Sequence, residues 1–241
     1  MLRFGETMEY TKISKTEYFL RLLFPPRCIC CGAVLPVGIL KEVCSDCEKG
    51  FKTLDTYEFA NMSGSTITRV YSAFDYEGSV RKAIHRLKFG DSPRNAAVLV
   101  DLSCQLLKDF LDKPFPGMPG KRYDVIIPAP LHPKRKRQRG YNQSELIAMR
   151  LARHMEIPVL KGVLVKKINT PPQSRLKREE RLRNVAGVFH VKKPGQVKGR
   201  RILLVDDIMT TGSTLEQCAR VLTGAGAGLV DAYVVAMRKK V

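Results

Sequence analysis

The stretch that most constrains this chain is ILLVDDIMTTGST, from Ile202 to Thr214. Four aliphatic residues in a row, bounded by turn-forming residues, read as a strand buried on both faces. That strand delivers two adjacent aspartates, Asp206 and Asp207, to its carboxyl end, followed by a run of hydroxyl side chains around Gly212. In open parallel sheets this is the end of a strand where ligands bind. Carboxylates repel phosphate, whereas a Thr-Thr-Gly-Ser-Thr loop attracts it. A single ligand that suits both carries vicinal hydroxyls and a phosphate, as a ribose 5-phosphate does. Gly212 can adopt backbone angles closed to other residues, which lets amides converge on an anion. A helix predicted to begin near Ser213 adds free N–H groups and a favourable dipole, and Thr210, Thr211, Ser213 and Thr214 add hydroxyl donors. The Gly-Lys pair of a Walker loop is missing. One aspartate is expected to accept hydrogen bonds from the ribose hydroxyls. The other balances positive charge on a sugar ring or helps to hold hydrated Mg²⁺.

The rest of the chain supplies a sheet for this strand to join. YDVIIPAPL is a short buried strand ending at two prolines, and NQSELIAMRLARHM is an amphipathic helix with Asn142 as N-cap and Glu145 three residues on. VLVKKI reads as a strand, STLEQCARVLTGAGA as a helix stopped by glycine, and LVDAYVVAMR as a final strand. The alternation predicts an α/β fold with a mostly parallel sheet flanked by helices. Upstream, VYSAFDYEG is strand-like, SVRKAIHRLKF and NAAVLVDLSCQLLKDFL are helical, and KPFPGMPGKR is a Pro/Gly linker.

Residues 1–50 are of another kind, holding five of the seven cysteines. Cys28, Cys31, Cys44 and Cys47 spell C-x₂-C-x₁₂-C-x₂-C, with Gly32 after the first pair. Four thiolates at this spacing close a tetrahedral, structural Zn²⁺ site, and a small segment poor in apolar residues needs such a staple. Cys30 is read as a free thiol, and Cys104 and Cys218, in helical patterns, as core residues. The expected division is a zinc module with a short N-terminal helix over 1–60 and a main domain over 65–241, of which 65–115 is a preparatory region. No secretory signal is visible in the given sequence: YFLRLLF is short, carries Arg21 and runs into Pro25-Pro26. A cytoplasmic location is expected, where cysteine pairs mean metal more often than disulfide.

The formal net charge is +19, from 42 basic and 23 acidic residues, and the basic residues cluster. That favours a polyanionic partner or substrate. A loop expected between the YDVIIPAPL strand and the NQSELIAMRLARHM helix holds five basic residues among the six from Lys134 to Arg139: Lys134, Arg135, Lys136, Arg137 and Arg139. A few of them suffice to grip a pyrophosphate. The surplus, with RLKREERLR and KKPGQVKGRR further on, reads either as solvated surface or as a groove for single-stranded nucleic acid. His132 is expected to serve the turn before Pro133, and His85 to be a partly exposed helix residue.

ILLVDDIMTTGST resembles, nearly residue for residue, the fingerprint of type I phosphoribosyltransferases, which bind phosphoribosyl pyrophosphate (PRPP). The resemblance implies that Asp206 and Asp207 meet the ribose hydroxyls, that Thr210, Thr211, Gly212, Ser213 and Thr214 hold the 5-phosphate, and that Mg²⁺ accompanies PRPP. Together RGYNQ, T-x-x-Q-x-x-L, R-x-x-N-V-x-G-x-F and LLFPPRCICCG are similar to the ComF family of competence proteins, from about residue 18 to the end. Gln173, Arg181 and Asn184 match that family's motif, on a stretch whose counterpart in phosphoribosyltransferases closes over the reaction centre; Lys88 resembles a family lysine near the site, with an ordinary surface charge as the alternative. The resemblance further implies a role in natural competence on or near incoming single-stranded DNA, with a competence helicase as partner. The alternatives are an active phosphoribosyltransferase for a nucleobase or other amine, and a non-catalytic PRPP sensor. A base-selecting hood is expected from the zinc module or from residues 70–113, although no purine or pyrimidine pocket can be read there.

Overall fold

The computed structural model describes residues 14–38, 40, 42–54, 58–60, 64–90, 92–111, 122–168 and 187–238. The chain begins with α1 (Lys15–Leu23) and α2 (Ser45–Glu48), then β1 (Glu58–Ala60), β2 (Arg69–Asp75), α3 (Gly78–Phe89) and α4 (Arg94–Leu111). The alternating half follows as β3 (Val125–Pro128), α5 (Pro133–Arg139), α6 (Gln143–Met155), β4 (Leu164–Lys166), β5 (Phe189–Val191), β6 (Arg201–Met209), α7 (Ser213–Gly224) and β7 (Leu229–Met237).

The main sheet has the order β1-β2-β7-β6-β3. β2, β7, β6 and β3 run parallel, and β1 closes one edge antiparallel. The aliphatic run of β6 explains why it lies inside the sheet: both of its faces are covered. Leu203 and Val205, with Tyr233 and Val235 of β7, pack into one apolar cluster that includes residues of α3, α4 and α6. Ile202 and Leu204, with Ala232 and Val234, pack into another with α7 and the β4–β5 hairpin. A continuous apolar run is what a strand covered on both sides requires. This is the α/β fold with a mostly parallel sheet expected from the alternation.

Two segments differ from the sequence reading. The strand expected to end at Asp207 continues to Met209, with Ile208 opposite Ala236 and Met209 opposite Met237. β7 is long enough to keep pairing past the aspartates, so the loop proper starts at Thr210. The basic stretch expected as a loop is instead the two-turn helix α5. His132 caps it through Nδ1, which accepts from the Lys134 N–H at 3.2 Å, Pro133 stands in its first turn, and Gly140 ends it at φ +82°. Proline there gives up a donor that would be unsatisfied anyway, and glycine takes the left-handed angle at no steric cost.

The cysteine-rich segment packs on the main core. Cys28, Ile29, Cys30, Val43 and Cys47 share an apolar cluster with Ile84, Leu87 and Leu99. The buried Asn95 side chain ties the two, its Nδ2 donating to the Ile29 carbonyl at 2.9 Å and the Ala83 carbonyl at 3.0 Å. Cys218 is fully buried and Cys104 partly so, both packed against the core as expected. Among the described residues no helix is long and apolar enough to cross a membrane.

Candidate functional site

The aspartates occupy the carboxyl end of β6, beside the start of α6. Asp207 is 3% exposed. Its Oδ2 pairs with Lys88 Nζ of α3 at 2.9 Å and accepts from Gln143 Nε2 at 3.2 Å. Asp206 Oδ1 accepts from Ser144 Oγ at 2.7 Å and from the Asp207 N–H at 2.8 Å. Burial and the adjacent Asp207 carboxylate push the Asp206 carboxyl up to about 6, against the pull of Lys88 and Ser144. Two neighbouring carboxylates behind one lysine form a site short of positive charge, which suits a cation or hydroxyl donors.

Residue-type reasoning missed Gln143 and Ser144, whose side chains touch the aspartates, and RGYNQ, which ends at Gln143, was the signal that could have pointed to them. Asn142 caps α6, its Oδ1 accepting from the Ser144 N–H at 3.1 Å, while its Nδ2 donates to the Ala129 carbonyl at 3.0 Å. One asparagine therefore fixes the exit of β3 and the start of α6, and the next two side chains reach the aspartates. Tyr141 extends the frame: its hydroxyl donates to the Leu87 carbonyl at 2.6 Å, fastening the end of α3 that carries Lys88.

The hydroxyl-rich loop lies directly after β6. Gly212 has φ +77° and α7 begins at Ser213, so a non-glycine residue at 212 would be strained. Thr210 and Thr211 are exposed, Gly212, Ser213 and Thr214 half-buried, and the Thr211 and Ser213 hydroxyls lie 2.9 Å apart. From the far side Glu216 holds the helix start: it accepts from Ser65 Oγ at 2.8 Å and Thr66 Oγ1 at 2.9 Å. The result is a fixed helix N-terminus with open hydroxyls, the arrangement that receives a phosphate.

The five basic residues do not act as one patch. Lys136 is paired with Glu145 at 2.8 Å, whereas Arg139 turns towards α3, its Cζ 5.2 Å from the Phe89 ring centroid. Lys134 and Arg137 are exposed. A cavity of about 570 Å³ beside α5 is lined by Pro130, Leu131, Lys136, Arg137, Glu145 and Lys166, among others, and not by the aspartates. Lys166 lines it with an amine that burial and nearby Arg135 push below the usual lysine range. Gln173, Arg181 and Asn184 lie outside the described residues, as does most of the Pro/Gly linker.

In the N-terminal segment the ligand atoms of Cys28, Cys31, Cys44 and Cys47 all lie within 4.8 Å of one another. Cys31 Sγ and Cys44 Sγ are 3.7 Å apart, close to the ~3.8 Å that a tetrahedral zinc–thiolate site requires. Burial acts to raise the Cys28 thiol, but the N–H groups of Cys31, Cys44 and Cys30 outweigh it and bring it to about 6. The four cysteines thus fit a metal ion in donor set and spacing. Cys30 is buried, and burial drives its thiol far up, so it stays protonated beside the four.

Residues 142–240 match the model of the phosphoribosyl transferase domain. Competence protein ComFC of Bacillus subtilis (strain 168) is 30% identical over 200 residues, covering 83% of this chain and 72% of its own. DNA utilization protein YhgH of Escherichia coli (strain K12) is 31% identical over 166 residues, covering 68% and 70%. This chain belongs to the ComF/ComFC/YhgH family. A further ComF relative, competence protein F of Haemophilus influenzae, is 33% identical over 114 residues, which span half of that protein. Among solved structures, a glutamine PRPP amidotransferase from B. subtilis aligns with TM-score 0.38 and 20% identity over 60% of this chain and 26% of its own. An orotate phosphoribosyltransferase from Aeropyrum pernix aligns with TM-score 0.35 and 19% identity over 76% and 74%. Both likenesses are too distant to bear on function.

Proposed function

We propose that this ComF-family chain binds PRPP with Mg²⁺ at the end of β6. In this reading Asp206 and Asp207 take the ribose hydroxyls and their cation, and Thr210 to Thr214 hold the 5-phosphate. The observation that carries it is the placement of a carboxylate pair, Asp207 buried and Asp206 half-buried, and an open helix N-terminus on one strand–loop–helix turn. Lys88 neutralises Asp207 in the free protein. Gln143 and Ser144 orient the carboxylates, and in this reading the cations of α5 meet the departing pyrophosphate. When bound, Mg²⁺ supplies charge neutralisation for that pyrophosphate. The four cysteines hold Zn²⁺ in a structural role.

Calorimetry with PRPP and Mg²⁺ across pH tests the site. A cation contact or a charge-assisted hydrogen bond at Asp206 requires the ionised carboxylate, and its carboxyl is raised to about 6. Affinity is therefore expected to be flat above that value and to fall about tenfold per pH unit below it. For stability the sign is opposite. The folded protein holds this proton more tightly than the unfolded chain, so the contribution of Asp206 to stability declines as pH rises from the ordinary aspartate range to about 6. PRPP affinity that stays constant down to pH ~4.5 would remove Asp206 from the site.

The relatives' names, a competence protein and a DNA utilization protein, and the net charge of +19 support a second part: the chain serves natural competence on single-stranded DNA. A cytoplasmic location and a competence helicase as partner enter this reading from the sequence resemblance alone. Lys134→Glu with Arg137→Glu tests whether the exposed side of α5 touches the strand. The double variant is expected to bind a short oligonucleotide more weakly, and its slope of log affinity against log salt should be shallower by about 1.4. Equal slopes would take α5 out of the DNA path.

A further inference from the structure

We propose that Phe89, flanked by Arg139 and His85, is the platform on which a nucleobase stacks beside the ribose-phosphate site. The proposal rests on the PRPP reading above and names the chemistry next to it.

Phe89 is the last residue of α3. The other apolar residues of that helix, Val80, Ala83, Ile84 and Leu87, are fully buried, yet the Phe89 ring is 69% exposed. A single exposed apolar residue is ordinary, but the surroundings of this one are not. On the preceding residue, Lys88 reaches Asp207 at 2.9 Å. One residue earlier, the Leu87 carbonyl is held by the Tyr141 hydroxyl at 2.6 Å. The ring is therefore presented from a helix end fastened to Asp207 and to Tyr141 at the start of α6, the kind of rigid mounting a binding group needs.

Its neighbours match the ligand. The Arg139 guanidinium lies over the ring at 5.2 Å and feels the Asp207 charge. The Arg139 Nη1 is buried without a hydrogen-bond partner among the described residues. The guanidinium is thus held by the ring and by charge, and it has a donor to offer a carbonyl or ring nitrogen once it turns. The His85 ring stands 4.9 Å from Phe89 at a 46° tilt. The guanidinium covers part of the ring, and what stays open on a residue 69% exposed, next to the imidazole, is a stacking surface for flat, electron-poor rings with acceptors on their edge, and nucleobases are such rings. α3 thereby provides the base contact expected from residues 70–113 but not readable there.

The base can come from a free acceptor or from a DNA strand, and 2-aminopurine reports both because its fluorescence falls on stacking. The absence of tryptophan leaves its emission unobscured. Titrations would use free 2-aminopurine with PRPP and Mg²⁺, and a short single-stranded oligonucleotide carrying one 2-aminopurine. Quenching of the free base assigns the platform to an acceptor, and quenching only in the oligonucleotide assigns it to a strand. In either case Phe89→Ala is expected to abolish the quench and weaken binding by about 5- to 100-fold. Phe89→Tyr should keep the quench. Phe89→Leu, which retains apolar area without a ring, should lose it. No quenching of either probe, or equal quenching by wild type and Phe89→Ala, overturns the platform. Calorimetry with PRPP keeps the two readings separable: Phe89→Ala should bind PRPP as wild type does, and wild type that binds none sinks the ribose-phosphate site while the oligonucleotide titration still judges the ring.

Discussion

Asp206→Asn combined with Asp207→Asn is expected to lower PRPP affinity by about 10²- to 10⁴-fold while leaving the fold intact. Each carboxylate would make at least one charge-assisted hydrogen bond or cation contact, and such bonds contribute about 1.5–3 kcal/mol each. The two together convert to that range at about 1.4 kcal/mol per decade. The fold should survive because asparagine keeps the shape and the repulsion between adjacent carboxylates disappears. Lys88 loses its partner, but it sits in the last turn of α3, from where a long amine can swing to water. Calorimetry gives the affinity and a thermal melt the fold. Unchanged PRPP affinity in a variant that melts like wild type would remove the ligand from these aspartates.

Stripping metal from the cysteine cluster is expected to have the largest effect on stability. Four sulfurs within 4.8 Å of one another fit one ion that cross-links them, and without it that cross-link is lost from a segment with little core of its own. Structural zinc contributes about 10–16 kcal/mol to isolated zinc-finger peptides. Here Ile29, Val43 and the Asn95 bridge share the main core, so part of the segment should stay docked and the loss be smaller. A fall in Tm of about 5–20 °C on adding a strong chelator corresponds to several kcal/mol for a chain of this size. Elemental analysis should find one zinc per chain in wild type and in Cys30→Ser, and less in Cys47→Ser. Protein purified without metal whose melt ignores chelator would show that the four thiols close on nothing.

The motifs differed in how much they revealed by themselves. ILLVDDIMTTGST was readable apart from the end of its strand, which pairing with β7 carries on to Met209, because a buried strand, a glycine turn and a helix start each have local rules that need no partner. C-x₂-C-x₁₂-C-x₂-C was readable for the same reason, since metal geometry ties four ligands together by spacing. The basic stretch was misread as a loop because its charges hid a proline start, a histidine cap and a glycine stop. RGYNQ stood out only as a family pattern. Its chemistry appears once Asn142 caps α6 and turns Gln143 and Ser144 onto the aspartates.

The sequence alone determined the alternating order of strands and helices, the positions of the carboxylates and hydroxyls on one turn, and the four cysteines. These depend on periodicity, backbone allowance and ligand spacing, all short-range. Only the tertiary structure decided which distant residues complete the site. Lys88 meets Asp207 across 119 positions of chain, and Arg139 meets Phe89 across 50, because α3 packs where α5 ends. Such contacts are set by how helices settle on the faces of a sheet, and no local pattern in the chain encodes that packing.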